Sequence, residues 1–555
     1  MSNSNEEILS EEGVTQGDNC SMGKYSCSLM PLLEMVSLKC SENSITKQIW
    51  YADDAASGGK LRDIKEWWDQ LGEFGPLFGY HPKASKTWLI VKPEFIQKAK
   101  DMFPDINITD VGHKYLGSYI GTDAGKQTFV EDKVKEWMKD IEDLADIATR
   151  EPQAAYSAYI YGLSKRWNYV CRTTPGISQY LKKLEHKVKE CFIPAIIDRA
   201  FGCQEIYRKI FALPIKEGGL GIVNLSLISD LEYEYSCKAT MELTEAIFQQ
   251  APSYIEDHDK LVKVKDEISS ARKDFFKGKR SEILLELDQN QKLQLDLASE
   301  KGASSWLSSL PLKSFGFVLN KQEFTDAIAL RYNFTIKDSA RKCVCGEANR
   351  IKHALSCKRG GYVSLRHNSL RDMIAELLRT AGCKDVTTEP PLLPVSGAHL
   401  PRGSNISDGA RLDVSARSLW NPLERAFVDV RVFNAQAPSN RSLGATSNMY
   451  SFHERQKKNA YNRRVIEIDH GTFTPIVFST TGGMGREAEL FFKKLADKMS
   501  RKTDQRYSEA MSFIRKRLRF DLLRTTIISL RGERGRSNKE ASKISELDIN
   551  LEPQI

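Results

Sequence analysis

The chain has 555 residues, of which 41% are hydrophobic and 28% are charged, and its formal net charge is +8. That length exceeds what one hydrophobic core supports, so we expect about three or four domains. The composition is typical of a folded globular protein and excludes a mainly disordered one, and no apolar run approaches the roughly 20 residues of a membrane-spanning helix.

The cysteines indicate metal binding rather than disulfide bonding. There are 11 of them, an odd number, and they are scattered except for one tight cluster. A secreted disulfide framework is therefore not expected. The opening residues also lack the basic and apolar regions of a secretion signal, so we expect an intracellular protein that does not bind membranes.

Changes in pattern along the chain predict a multidomain α+β and α/β fold. A mixed region of strands, turns and one helix is followed by a helical region, a linker, a cysteine and histidine cluster, an α/β region and a flexible tail. The boundaries that we predict for these six segments are 1–125, 126–300, 301–342, 343–360, 361–535 and 536–555.

An acidic hairpin is predicted in the first segment, at IWYADDAASGG. Two adjacent aspartates cannot both be buried in a strand, so we place Asp53 and Asp54 at the tip of a tight turn. Neighbouring carboxylates at such a tip can hold divalent cations a few ångströms apart, as phosphoryl transfer by two metals requires. The same four residues, YADD, also occur by chance in surface turns.

Further motifs in order around this hairpin resemble the reverse transcriptases of non-LTR retrotransposons. These motifs are TQGD at the start of a helix, YADD, SKTWLIV and YLGSYIG. The helical stretch beyond them, with RWNYVCRTTPG and LPIKEGGLGI, resembles the thumb of that family and its extension. The resemblance implies a partial reverse-transcriptase palm in 1–125 and a helical thumb with its extension in 126–300.

The resemblance also implies roles for single residues. Asp53 and Asp54 match the catalytic aspartates that bind Mg²⁺ or Mn²⁺. The residues implied to bind template and nucleotide are Gln16, Gly17, Asp18, Tyr51 and Lys86. DNA, RNA and deoxynucleoside triphosphates are the partners that follow, in a nuclear setting.

One carboxylate of the family's polymerase site is missing from the matched region. The family takes a further aspartate from an earlier strand, and the fingers precede that strand, whereas only a short acidic, serine-rich leader precedes the match here. Two carboxylates without a third protein ligand should hold two cations poorly. We therefore expect that this chain alone does not polymerise.

Four potential zinc ligands follow the helical region in a C-x-C-x7-H-x3-C pattern, formed by Cys343, Cys345, His353 and Cys357. This ligand set suits tetrahedral Zn²⁺, and polar residues such as GEANR between the ligands need a metal to organise them. The first spacing is tighter than usual, and the alternative is a set of free cysteines with a chance histidine. Retrotransposons with a restriction-like nuclease carry a similar CCHC knuckle here, where it is thought to contact nucleic acid.

Acidic residues beside two apolar strands mark the α/β segment. A helix opening with RHN leads to Glu389, and Asp413 and Asp429 then accompany the strands RLDVSA and FVDVRVF. Carboxylates in apolar strands are costly unless they face a shared metal. This pattern predicts a site at these three residues.

Spacing and element order here resemble the PD-(D/E)xK nuclease fold, specifically the restriction-like endonuclease at the C-terminus of some non-LTR elements. The resemblance implies Mg²⁺ on Asp413 and Asp429 and a lysine that orients or activates water. Arg431 stands where the motif has lysine, and arginine is a poor proton acceptor. HERQKKNAY offers Lys457 or Lys458, and we favour Lys458 because Tyr461 lies three residues on.

The last predicted helix combines an apolar stripe with basic residues. Met511, Ile514, Leu518 and Leu522 fall on one face. We expect Arg515, Lys516 and Arg519 to lie largely off that stripe, where they could contact phosphate.

These features together predict a fragment of a retrotransposon protein that nicks DNA with its C-terminal domain. The parent protein would copy element RNA from the nicked end. Three alternatives stay open: a nuclease only, a catalytically dead nucleic-acid-binding remnant, and, for the hairpin alone, a nucleotide cyclase or another palm-fold enzyme.

Overall fold

The computed structural model describes residues 18–39, 46–198, 204–251, 253–395, 397 and 399–532. The chain forms two compact units, each assembled from separated segments. The first unit takes Met1–Glu136, Arg166–Lys182 and Leu225–Ala271, and the second takes Trp137–Lys165, Lys183–Asn224 and Arg272–Ile555. The described residues form a multidomain mixture of helices and small sheets, which is compatible with the predicted α+β class. Within the described ranges, no helix is both long and apolar enough to cross a membrane.

The helices of the first half of the chain, with two π-helical segments that join neighbours, are α1 Ser21–Lys39, α2 Leu61–Phe74, α3 Ile96–Met102, α4 Asp123–Ala148, α5 Pro152–Ala158, the π segment Tyr159–Leu163, α6 Ser164–Thr173, α7 Lys182–Lys187, the π segment Val188–Phe192, α8 Ile193–Ile197, α9 Glu205–Ala212, α10 Leu225–Phe248 and α11 His258–Glu286. Those of the second half are α12 Gln289–Ser299, α13 Lys321–Tyr332, α14 Ile351–Ala354, α15 Tyr362–Thr380, α16 Pro438–Arg441, α17 Thr446–Glu467, α18 Arg486–Thr503 and α19 Tyr507–Arg531. The strands are β1 Lys47–Tyr51, β2 Asp54–Gly58, β3 Trp88–Ile90, β4 Asn107–Thr109, β5 Gly112–Tyr115, β6 Ser118–Gly121, β7 Lys384–Thr388, β8 Val414–Arg417, β9 Arg425–Phe433 and β10 Thr472–Ser479.

The first unit contains three two-stranded sheets among its described residues. β1 and β2 are antiparallel, β3 and β4 are parallel, and β5 and β6 are antiparallel. Leu32 and Val36 of α1 are fully buried and pack with Trp67 and Leu71 of α2. The four-residue spacing on each helix produces one apolar face, which holds the two helices together beside the first hairpin.

The helical region contains the apolar stripe that its sequence predicts. Val130, Val134, Trp137 and Ile141 of α4 are at most 3% exposed. They recur at spacings of four and three residues, which places them on one side of the helix. This stripe confirms the predicted helix.

The second unit is organised around a four-stranded mixed sheet in the order β10-β9-β8-β7. β10 runs parallel to β9, whereas β8 runs antiparallel to both β9 and β7. α15 precedes the first three strands, and α17 provides the crossover to β10 that a parallel pair needs. The predicted strands and the helices near 366–381, 485–500 and 507–530 are thereby confirmed.

The two faces of β9 pack against different helices. Val428 and Val430 belong to a core cluster with buried residues of α15, α18 and α19. Phe427 and Phe433 point to the other face, where they pack against buried residues of α17. Because strand side chains alternate, Asp429 also faces the α17 side of the sheet.

The segment 301–342, expected to be a linker, contains the buried helix α13. Phe324 and Ile328 are at most 1% exposed, and Asn320 begins the helix. The Asn320 side chain accepts from the Glu323 N–H, and Glu323 accepts from the Asn320 N–H, both at 2.9 Å. This capping box is readable in the sequence, but the glycine, serine and proline residues before it suggested a linker.

The sequence prediction is wrong for one basic residue of α19, Arg519. Met511, Ile514, Leu518 and Leu522 are buried as predicted. Arg519, expected off the stripe, is only 6% exposed, and its Nε donates to the Ala303 carbonyl at 2.8 Å. The predicted tail 536–555 lies outside the described residues.

A partly buried glutamate, Glu300, lies beside α17 and the end of β10, and its Oε1 atom is buried. Its Oε2 accepts from Tyr450 Oη at 2.9 Å and Ser479 Oγ at 3.3 Å. Burial outweighs these hydrogen bonds and raises the pKa of Glu300 to about 7 from its usual 4.5. The folded state therefore binds this proton more tightly than the unfolded chain does, and the resulting stability is lost as the pH rises through this range.

Glu300→Gln should remove this pH dependence while keeping a hydrogen-bond acceptor. On going from pH 5 to pH 8, the free energy of unfolding of the variant should rise by about 1–3 kcal/mol relative to that of the wild type. One unit of pKa is worth about 1.4 kcal/mol. Urea unfolding at both pH values measures the difference. Glu282→Gln, on the exposed face of α11, is the control, and an equal difference for Glu300→Gln at both pH values would contradict the prediction.

Candidate functional site

The four predicted zinc ligands converge in the second unit. The ligand atoms of Cys343, Cys345, His353 and Cys357 all lie within 4.8 Å of one another. Cys343 Sγ is 3.8 Å from Cys357 Sγ, and Cys345 Sγ is 3.2 Å from His353 Nε2. Zn–S bonds of about 2.3 Å at a tetrahedral angle place two sulfurs roughly 3.8 Å apart. The cluster could therefore hold a zinc ion.

The local backbone explains how so short a pattern closes. The Gly346 N–H donates to the Cys343 carbonyl at 2.9 Å, and Gly346 has a φ of 94°, which a residue with a Cβ adopts only under strain. His353 lies on the short helix α14, and the Cys357 N–H donates to the His353 carbonyl at 2.9 Å. The turn supplies Cys343 and Cys345, α14 supplies His353, and the residues directly after the helix supply Cys357.

The cluster is also joined to the sheet. Asn434, which directly follows β9, is 7% exposed. Its Nδ2 donates to the Lys352 carbonyl at 3.0 Å and to Ser356 Oγ at 2.9 Å. Lys352 precedes His353 and Ser356 precedes Cys357, so the segment with these two candidate ligands is attached to the strand that carries Asp429.

Asp413 and Asp429 lie side by side on neighbouring strands. Asp413 immediately precedes β8, and its N–H donates to the Val428 carbonyl at 3.0 Å, while its Oδ2 accepts from the Val430 N–H at 2.6 Å. Asp429 stands at the centre of β9 and is 6% exposed. The register of β8 and β9, with Val414 opposite Val428, places Asp413 opposite Asp429, and each carboxyl group shifts the pKa of the other. The predicted pairing of these two acidic residues is present.

A histidine that the sequence analysis did not select completes one side of the pair. His367 Nε2 lies 3.2 Å from Asp413 Oδ2 and 3.1 Å from the Val430 carbonyl oxygen. The hydrogen bond to Asp413 raises the pKa of His367 despite its burial. The RHN sequence at the start of α15 was the available signal, but its partner is 46 residues away in the chain.

The lysine beside the pair is Lys457, which corrects the preference for Lys458. Lys457 Nζ lies 2.5 Å from Asp429 Oδ2 and 5.9 Å from the ring centroid of Tyr461. Lys458 Nζ instead pairs with Glu487 Oε1 at 2.6 Å. Lys457 and Tyr461 are four residues apart, which aligns them on the face of α17 that meets the sheet.

Glu389 lies near the pair but has another partner. It follows β7 at a φ of 51°, and its N–H donates to the Asp413 carbonyl at 2.9 Å. Its carboxylate pairs with Arg371 of α15, and the Glu389 side chain is 55% exposed. The structure thus brings the backbone of Glu389 to the site, while the carboxylate is held by an arginine.

The two aspartates differ in their electrostatics. Burial raises the pKa of Asp429 to about 6; Lys457 opposes this rise and the charge of Asp413 adds to it. Burial also opposes ionisation of Asp413, but the hydrogen bond and charge of His367 and the Val430 N–H outweigh it and lower its pKa. Two carboxylates in contact do not both ionise readily, so a nearby cation is favoured.

The acidic hairpin has the predicted form. Tyr51 of β1 pairs with Asp54 of β2, which leaves Ala52 and Asp53 as the two-residue turn. Ala52 has a φ of 56°, the left-handed conformation common in tight hairpin turns. Asp53 and Asp54 are both exposed, and Tyr51 is 63% exposed. Both carboxylates are therefore accessible at the tip.

The remaining predicted polymerase residues are near helix ends or turns. Asp18 accepts from the Cys20 N–H at 3.2 Å through its side chain and from the Ser21 N–H at 3.1 Å through its carbonyl, so it caps α1. Lys86 is exposed in a short 3₁₀ turn before β3. Gln16 and Gly17 lie outside the described residues. The nucleotide-binding role of these residues stays a prediction.

Sequence comparisons match this chain to no protein-family description and to no curated protein. The retrotransposon resemblance accordingly stays a prediction carried by the motifs. The function proposed below therefore rests on the side chains around Asp413 and Asp429, because their chemistry can be judged without a known homologue.

Loss of one ligand should abolish zinc binding. We expect the purified chain to carry about one zinc per molecule, and Cys343→Ser or His353→Ala to carry close to none, because a structural zinc site needs all four ligands. Elemental analysis of dialysed protein measures the content. Cys27→Ser, which changes an exposed cysteine of α1, is the control, and full zinc content in Cys343→Ser would contradict the assignment.

Proposed function

We propose that the second unit is a metal-dependent endonuclease that cleaves phosphodiester bonds in DNA. The observation that carries this proposal is that Asp413 and Asp429 lie opposite each other on neighbouring strands, with His367 beside Asp413 and Lys457 beside Asp429. Adjacent carboxylates with basic groups beside them are the components that metal-assisted phosphodiester cleavage uses.

The donor set fits Mg²⁺ or Mn²⁺ in chemistry. Both ions prefer oxygen ligands, and they commonly bind one or two protein carboxylates together with waters and substrate phosphates. Asp413 and Asp429 provide two such carboxylates, and the buried position of Asp429 makes a compensating cation favourable. When bound, the ion would stabilise negative charge on the phosphate and lower the pKa of a bound water.

The protein residues have distinct roles in this proposal. Lys457 lies against Asp429, where its ammonium group can orient the attacking water or stabilise charge on the phosphate. His367 is a positioning residue because it holds Asp413 against the Val430 backbone. Arg431, two residues after Asp429, donates to Gln456 Oε1 at 2.8 Å and would not serve as the base.

The surroundings support nucleic acid as the substrate. The metal-binding turn is attached to β9 through Asn434. The order of one helix, three strands, a crossover helix and a further strand agrees with the α/β order of the nuclease that the motifs resemble. We propose that zinc organises this turn as a contact for nucleic acid and that the substrate is nuclear DNA.

Asp413→Asn and Asp429→Asn should each abolish Mg²⁺-dependent nicking of supercoiled plasmid. Both substitutions keep the side-chain shape but remove a carboxylate ligand, and loss of metal-assisted chemistry typically costs a factor of about 10² or more. Gel electrophoresis of the plasmid measures nicking. Plasmid binding without any Mg²⁺-dependent cleavage by the wild type would instead identify a catalytically dead nucleic-acid-binding protein.

The neighbouring lysines provide a matched control for the same experiment. Lys457→Ala should reduce nicking by about 10²-fold, the usual contribution of a positioned proton-transfer or charge-stabilising group. Lys458→Ala removes an equal side chain that pairs with Glu487 and should retain most of the activity. Equal effects of the two substitutions would exclude the role given to Lys457.

The hairpin at Asp53 and Asp54 supports a second candidate function, nucleotidyl transfer. The supporting observation is that Asp53 and Asp54 are adjacent in the chain and both exposed at the tip of an antiparallel hairpin. Within the described residues, no third acidic, cysteine or histidine ligand joins them in a metal-binding group. The pair alone should bind cations weakly, because each ion usually needs further ligands.

The purified chain is accordingly expected to show no primer extension on an RNA template with Mg²⁺ or Mn²⁺. Extension of a labelled primer in the presence of deoxynucleoside triphosphates measures this activity. Robust extension that is lost in Asp53→Ala and kept in the exposed control Asp69→Ala would show that the hairpin is a working polymerase site.

A further inference from the structure

A cleft on the far side of α15 from the acidic pair is the strongest candidate for a second site in the second unit. It is open to solvent and lies between α15, α19 and the 3₁₀ turn Lys313–Phe315. Ser369 lines it, and this residue is two positions after His367. Two residues turn a helix by about 200°, so the cleft and the acidic pair lie on opposite sides of α15.

The wall of the cleft contains a buried carboxyl group with a free oxygen. Asp521 of α19 is 7% exposed. Its Oδ1 accepts from Ser369 Oγ at 2.6 Å, whereas its buried Oδ2 has no hydrogen-bond partner. An unpaired buried acceptor costs about 1–3 kcal/mol, so a ligand with N–H donors would be favoured there.

Aromatic and basic groups complete the walls. Phe315, which lines the cleft, is 49% exposed, and its ring stacks on that of Phe317 with 5.9 Å between the centroids. The guanidinium groups of Arg517 and Arg524 both end beside Gly316, 3.8–3.9 Å from the position that a Cβ would take. The cleft therefore offers an acceptor edge, donors beside it and a ring for stacking.

The surrounding charge decides between a cationic and an anionic partner. Among the residues that line the cleft, Arg517 and Arg524 are basic and Asp521 is the only acidic one. Such a surface repels a lysine- or arginine-rich peptide and attracts the phosphates of a nucleic acid. Bases in single-stranded or unstacked nucleic acid commonly stack on exposed aromatic rings.

We propose that this cleft binds one unstacked nucleobase and that it prefers guanine. Guanine presents two adjacent N–H donors, N1–H and the N2 amino group, for the Asp521 carboxylate, and its O6 acceptor lies next to them for Arg517 or Arg524. Cytosine and adenine offer one amino donor at this edge, and thymine places two carbonyl groups there. The inference rests on the nucleic-acid binding in the proposed function, but it does not require cleavage.

Fluorescence anisotropy of the full chain without divalent cations tests the proposal. The probes are labelled oligothymidylates of about twelve nucleotides that carry one central dG, dC, dA or no substitution. We expect the dG probe to bind tightest. Asp521→Asn should weaken its binding by about tenfold, the factor expected for loss of one hydrogen bond to a charged group, and remove the preference. Asp497→Asn on α18, an exposed carboxylate paired with Arg501 at 3.0 Å, should keep both.

Phe315→Ala provides a second variant that removes an exposed side chain and should weaken every base-containing probe through lost stacking. Equal binding of all four probes, or a dG preference that survives in Asp521→Asn, would overturn the proposal. Asp521-dependent binding of N-acetyl-arginine amide without base preference would assign the cleft to a protein side chain and also overturn it. A chain that prefers the dG probe but does not nick DNA would contradict only the nuclease proposal. A chain that nicks DNA but shows no such preference would contradict only the proposal of a guanine site.

Discussion

The burial of Asp429 beside Asp413 is the constraint on which the arrangement of the second unit depends. A carboxylate inside an apolar sheet is unfavourable by several kcal/mol unless charged or hydrogen-bonding groups compensate it. Here the compensation comes from His367 on the helix before the strands and from Lys457 on the helix between β9 and β10. The two aspartates thus connect the helices α15 and α17 to the neighbouring strands β8 and β9. A structural role alone would be met more simply by apolar residues, and this comparison supports the catalytic role that we propose for the pair.

Much of this unit could be predicted from local patterns. β9 was identified from its run of apolar residues, and the CCHC ligands from the ligand set that three cysteines and one histidine form within a short segment. Which of Lys457 and Lys458 faces Asp429 depends on how α17 is oriented about its own axis. His453, Lys457, Tyr461 and Arg464 recur at spacings of three and four residues, and His453 and Arg464 are buried. This period would have selected Lys457, but the polar character of these residues hid it.

Other features could not be predicted because they depend on contacts between distant parts of the chain. Nothing near Arg519 in the sequence shows that it is buried against the Ala303 carbonyl, 216 residues away. Asp521 likewise sits in a basic helix and looks exposed until α15 brings Ser369 to it. Helical periodicity places such residues on a face, but the partner that covers the face is set by tertiary packing. Charged residues on apolar faces are therefore where sequence reasoning failed most often.

The attachment of the CCHC turn to Asn434 has a consequence for how the unit would respond to its chemical environment. Cysteine thiolates that ligate a metal are open to oxidation, and oxidation releases the ion. The turn would then lose its organising centre, and the buried Asn434 amide would lose the two acceptors that anchor the end of β9. With zinc bound as proposed, oxidation or loss of zinc would thus weaken the hydrogen bonds of the Asn434 side chain at the end of β9. The strand that carries Asp429 would be affected without any change at the carboxylates themselves.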